Sequence, residues 1–158
     1  LWAAGAVIVM CLTIDGVTAL AQSPTPPPAA VWVTGTAIEN GGSGGTVTQV
    51  GDVTQTRGEI FTDTMTMSDP RVSGAGSGIW NQDRYPGDIG ISWGTSRLEN
   101  AGGAWAGTFV SADGPTVVSS GFLIGEGGYE GLTFYWHQDM GDTVTVTGII
   151  FPGDPPTP

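Results

Sequence analysis

From Val31 to Phe151 the chain repeats one unit, a short run of Val, Ile, Thr and aromatic residues closed by Gly, Asp, Asn or Pro. Runs of this kind, with no sustained helical period between them, read as β-strands. The runs are Val31–Glu39, Glu59–Ser68, Val72–Asn81, Asp88–Asn100, Ala104–Ala112, Thr116–Gly125, Glu130–Gln138 and Thr143–Phe151. A weaker run, Thr46–Thr56, reads as a ninth strand or a long ordered loop. The connections carry turn chemistry: Asp69-Pro70, Tyr85-Pro86-Gly87, Ala101-Gly102-Gly103, Asp113-Gly114-Pro115, Gly127-Gly128 and Met140-Gly141-Asp142. Links this short join antiparallel neighbours. The expected fold is all-β, an antiparallel up-and-down barrel of about eight strands, with a β-sandwich as the alternative.

Two details favour the barrel. The first and last runs share a Val-x-Val-Thr-Gly pattern, at Val31–Gly35 and Val144–Gly148, and pairing them would close the sheet. Small residues also recur on one face of two strands, as Gly74, Gly76 and Gly78 and then as Gly90, Ser92, Gly94 and Ser96. Such stripes let a sheet coil tightly and let a bulky neighbour lie across the strand.

The flanks are of another kind. Residues 1–21 read as an export signal: an apolar run from Ala3 to Thr13, then Ala19-Leu20-Ala21, with cleavage after Ala21. That run is too short to span a bilayer, so no membrane span is expected after cleavage. Cys11 leaves with the leader, and Met10 before it is too bulky for a lipoprotein site. Residues 22–30 are a Pro-rich linker, 31–152 the β-barrel domain and 153–158 a Pro-rich tail. The expected location is secreted or on a bacterial cell-envelope exterior. A net charge of −11 with no Lys leaves nothing to neutralise a row of phosphates, which excludes nucleic acid as a partner. One His and one Cys exclude a Cys/His zinc site, and no cofactor is expected.

Ser68-Asp-Pro-Arg-Val-Ser-Gly74, Leu98-Glu-Asn-Ala-Gly-Gly-Ala-Trp-Ala-Gly107 and Gly125-Glu-Gly-Gly-Tyr-Glu-Gly-Leu132 resemble segments of secreted bacterial proteins, mostly uncharacterised. Those proteins in turn resemble the allene oxide cyclase and dirigent barrels. There a Gly-x-Gly-x-Tyr-x-Gly corner joins two late strands of an eight-stranded barrel, and Gly125–Gly131 is similar. The likeness spans roughly residues 58–152 and speaks to fold, not chemistry. It implies a barrel with a pocket and an oligomer as an option, and it carries over no catalytic residue.

Gly90-Ile-Ser-Trp-Gly94 matches the Gly-x-Ser-x-Gly hydrolase pattern, but that motif needs a strand-to-helix elbow and here sits mid-strand, so Ser92 reads as a decoy. His137 follows Leu132, Phe134 and Trp136 on the opposite parity, which places it outside or at the rim. Glu126 and Glu130 flank the Gly-Gly-Tyr corner and read first as solvated loop charges, with an acid–base pair as the sharper alternative. Asp139 with Asp142, or Asp83 with Asp88, lacks the ligand density of a calcium loop. Asp69 is expected to cap backbone amides and pair with Arg71, and Gly41–Gly45 to be a flexible loop.

Two alternating rows mix apolar residues with charge: Trp93, Thr95, Arg97, Glu99 and Phe61, Asp63, Met65, Met67. They suggest a pocket of Phe61, Asp63, Met65, Trp93, Arg97 and Glu99, with Arg97 anchored by Glu99 or Asp63. The bland reading is an exposed cross-strand ion pair above a core row. Functionally, the chain is expected to bind a small hydrophobic molecule or a surface partner such as carbohydrate. Alternatives are a cyclase or isomerase that uses the lumen, and a structural or adhesive envelope protein. Sugar binding would need two or three Trp on one outer face.

Overall fold

A computed structural model describes residues 29–157. The leader, its cleavage point, Cys11 and residues 22–28 of the linker lie outside the described residues. The strands are β1 (Val31–Val50), β2 (Val53–Met67), β3 (Gly74–Tyr85), β4 (Ile89–Asn100), β5 (Gly103–Asp113), β6 (Val117–Gly127), β7 (Leu132–Met140) and β8 (Val144–Pro152). They form one closed barrel in sequence order, every pair antiparallel. The closing pair is β1 with β8, Val31 opposite Ile150 through Ala37 opposite Val144, so the shared Val-x-Val-Thr-Gly segments do meet. Over Val31–Ala37 closure leaves neither the first nor the last strand with an open edge.

The Gly41–Gly45 segment is strand, not loop. β1 continues through it by means of a register shift between Glu39 and Gly41. Gly44 and Gly45 take φ of 73° and 80°, which a Cβ would disfavour. The Thr46–Thr56 run is neither a ninth strand nor a loop but the two arms of the β1–β2 hairpin. Beyond Ala37, β1 pairs only with β2, and Ile38–Val50 is exposed throughout.

Inside the barrel, residues from successive strands stack in layers. One layer alternates ring and glycine around the wall: Trp80, Gly94, Phe109, Gly121, Trp136, Gly148. Each glycine leaves room where a neighbour's side chain crosses the strand. A Cβ on Gly94 would meet the Phe109 ring at 2.9 Å, and one on Gly121 would meet Trp136 Nε1 at 3.0 Å. A narrow barrel cannot place a bulky side chain on every strand at one height, and glycine is what lets the rings fit.

One end is plugged. A single 3-10 turn, Pro70–Val72, folds across it and buries Val72 completely. Trp105 stacks on Tyr129 with ring centroids 5.0 Å apart, and its Nε1–H donates to the Arg71 carbonyl at 2.7 Å. Asn100 Nδ2 donates to the carbonyls of Pro70, Arg71 and Ser73, while its Oδ1 accepts from the Gly102 amide and the Tyr129 hydroxyl. Asp69 does cap the turn: its Oδ1 accepts from the Arg71 amide at 2.9 Å, and its carboxylate grips the Arg71 guanidinium. Leu98, Phe134, Ile150 and Val33 complete this core, each burial worth about 1.5–3 kcal/mol.

Candidate functional site: the open end of the lumen

The opposite end is not filled. A cavity of about 340 Å³ enters the lumen there and runs down past the aromatic layer to Phe61, Asp63 and Met65. Its walls are Phe61, Met65, Trp80, Phe109, Leu123 and Trp136.

Above the rings the lining turns polar. Gln82, Ser92, Ser111, Ser119 and Gln138 are successive cross-strand partners, and all five are buried. Asp113 gathers three of them, accepting from Gln82 Nε2 at 2.6 Å, Ser92 Oγ at 2.7 Å and Ser111 Oγ at 3.0 Å. Ser119 and Gln138 extend the same belt and face the cavity. Buried hydroxyls and amides tolerate such a place only when bonded to one another or to something in the lumen.

Two buried polar atoms of the lining have no partner, Asp63 Oδ1 and Trp136 Nε1. Asp63 packs across Gly76, where a Cβ would collide with its carboxylate, and stands directly opposite Glu39. Burial raises the Asp63 pKa above its ordinary value, and the neighbouring Glu39 carboxylate raises it further. A carboxyl held this way gives up its proton at a higher pH than a free one.

The six residues that the sequence suggested divide three and three. Phe61, Asp63 and Met65 line the cavity. Trp93, Arg97 and Glu99 do not: on β4 the inward parity belongs to Gly90, Ser92, Gly94, Ser96 and the buried Leu98, so these three point out. Arg97 meets neither Asp63 nor the lumen. Its Nε donates to Glu99 at 2.6 Å and its Nη1 to Glu126 at 2.8 Å on the outer surface, which raises its pKa. Trp93 lies outside under Arg57, whose guanidinium carbon is 4.8 Å from the ring centroid. The polar belt was not anticipated from sequence, which singles out only Ser92 of the five, as part of a small-residue stripe and as a decoy.

Ser92 is 1% exposed and bonded to Asp113, with no histidine beside it. His137 is on the outer face of β7, where its Nδ1 lies 2.8 Å from Ser120 Oγ and its Nε2 3.7 Å from Asp139 Oδ1. This trio resembles a nucleophile–base–acid set in composition only. It lies on a strand surface, whose ladder engages the backbone N–H groups an oxyanion would require. Glu126 is taken up by Arg97 and Asp83 by Arg57, and among the described residues no group of three His, Cys, Asp or Glu is placed to hold a metal ion. Of the five Trp outside the leader, Trp80, Trp105 and Trp136 turn inward. Trp32 and Trp93 turn outward on different strands, which gives no flat row of Trp for a sugar. No helix among the described residues is long and apolar enough to cross a membrane.

Fold and site together define a closed antiparallel barrel with one plugged end and one open, amphipathic cavity. No protein-family model, curated protein or solved structure matches the chain.

Proposed function

We propose that this protein is an exported carrier or receptor for a small amphipathic molecule, held in the open half of the barrel. The observation that carries the reading is the 340 Å³ cavity with apolar walls and two unmatched polar atoms, one acceptor and one donor. Its volume is at the small end of ligand pockets, which suits a single ring or a short chain. A molecule with a hydrogen-bond donor near Asp63 and an acceptor near Trp136 answers both. The export half of the proposal rests on residues 1–21 of the sequence. Kinship with allene oxide cyclase and dirigent barrels belongs to the same proposal, supported by the Gly125–Gly131 corner between β6 and β7.

The test is native mass spectrometry of the purified protein, before and after denaturation and after equilibration with a panel of small amphiphiles. An adduct lost on unfolding is the expected result. Ser96→Phe, which sends a ring into the cavity between Gly78 and Gly107, should abolish the adduct while the fold persists. A bare monomer mass across the whole panel would sink the reading.

One observation supports a second reading, an isomerase or cyclase that fixes a substrate's conformation in the lumen. Asp63, a carboxyl with a raised pKa beside an open cavity, is placed as such chemistry requires of a general acid. Under this reading Asp63→Asn retains the adduct but leaves the bound molecule chemically unchanged. A carrier shows no chemical change with either residue.

A further inference from the structure

The charge of the lining goes a step further than binding and, resting on the reading above, names the class of ligand. Four carboxylates line the cavity, Glu39, Glu59, Asp63 and Asp113, against one guanidinium, Arg84. Asp113 is occupied by its three neutral donors. Glu39 and Asp63 are directly opposite each other across β1 and β2, an arrangement of like charges that costs stability unless something positive is near. The arginine–carboxylate pairs among the described residues lie elsewhere, on Asp83, Asp69, Glu99 and Glu126.

The rest of the cavity suits a cation with an apolar body. Phe61, Trp80, Phe109 and Trp136 contribute aromatic rings to its walls, and ring faces attract ammonium groups in a dry site. Trp136, 7% exposed, adds an indole N–H that is unpartnered where it packs over Gly121 at the cavity wall. Ser119 and Gln138, 3% and 9% exposed, face the same space. An anion of the same shape would enter a lumen of its own sign, where low dielectric strengthens the repulsion.

We infer that the cavity selects a small organic ammonium, with the nitrogen beside Glu39 and Asp63 and the apolar body among the rings, over neutral or anionic molecules of the same shape.

Calorimetric titration with octylammonium, 1-octanol and octanoate at one ionic strength tests this. Octylammonium should bind about tenfold more tightly than octanol, with octanoate weakest. Because the whole molecule is acidic, two double variants with the same change in charge are compared. Glu39→Gln with Asp63→Asn should reduce the preference for ammonium over octanol to about twofold, whereas Glu130→Gln with Asp154→Asn, both exposed and away from the cavity lining, should leave it intact. Should the first double variant not fold, Glu39→Gln alone, at an exposed position, should lower the preference part of the way. Equal losses in the cavity-lining and the remote variants would assign the preference to overall charge and overturn the inference. Octanoate binding as well as octylammonium would also overturn it, while leaving the lumen a binding site. If none of the three binds, the binding reading fails with it.

Discussion

The two ends of this barrel are built from the same strands and solve opposite problems. At the plugged end every notable polar group has an assigned partner: Asn100 ties three carbonyls, Trp105 caps the Arg71 carbonyl, and Asp69 holds Arg71. At the open end Asp63 and Trp136 are left without partners, and a belt of buried serines and glutamines rings a cavity. The network that holds the plug thus lies apart from the two unmatched atoms, while the belt beside the cavity is bonded in part, through Asp113, so the site can keep unmet hydrogen bonds without endangering closure.

The contrast is easiest to break at the plug. Trp105→Ala removes a fully buried ring stacked on Tyr129 and should cost about 3–5 kcal/mol in urea unfolding. Phe61→Ala, whose ring borders space that is already open, should cost less than about 2 kcal/mol. Equal costs would mean that the lumen is packed alike at both ends. Next in size is Asn100→Ala, expected to cost about 1–3 kcal/mol because partly buried carbonyls lose their donor. It should leave ligand uptake unchanged.

The two ends should also respond to pH with opposite signs. The folded-state pKa of Asp69 is lowered, chiefly by its side-chain hydrogen bonds to Arg71, so its contribution is present above the ordinary carboxylate range and is lost as pH falls through the lowered value. The folded-state pKa of Asp63 is raised, so folding is favoured by its proton and stability declines as pH climbs from about 4 through the raised value. In denaturation curves taken across that range, Asp63→Asn should flatten the decline on the alkaline side, and Asp69→Asn the loss on the acid side. Both variants flattening the same side would contradict the assignment. The smallest effect is expected for Arg97→Ala on the outer wall, with no measurable change in the urea midpoint or in ligand uptake.

Much of the frame was legible. Strand runs and turn residues located all eight strands, and the matched end strands announced closure. The row Leu132, Phe134, Trp136 correctly gave the inner face of β7. The misreading lay on β4, where large residues were assigned inward and small ones outward. On this strand the rule is reversed, because the Phe109 ring from β5 needs Gly94 beneath it. One cue in the chain sets the parity correctly. A two-residue turn at Ala101-Gly102 pairs Leu98 with Trp105, so burying that tryptophan turns Leu98 inward and Arg97 out. The polar belt has no such cue. Gln82, Ser92, Ser111, Ser119 and Gln138 become neighbours only through the register of four successive strand pairs, and no local pattern records that sum.

The arm of β1 beyond Ala37 has a consequence for how the molecule breathes. Along Ile38–Val50 the amides that point toward β2 are bonded, while those on the far edge have only solvent to bond. Hydrogen exchange along β1 should therefore fall into two regimes that meet at Ala37. Before it, exchange waits for the ring of strands to open. After it, alternate amides exchange freely and the rest follow local fraying of a single ladder.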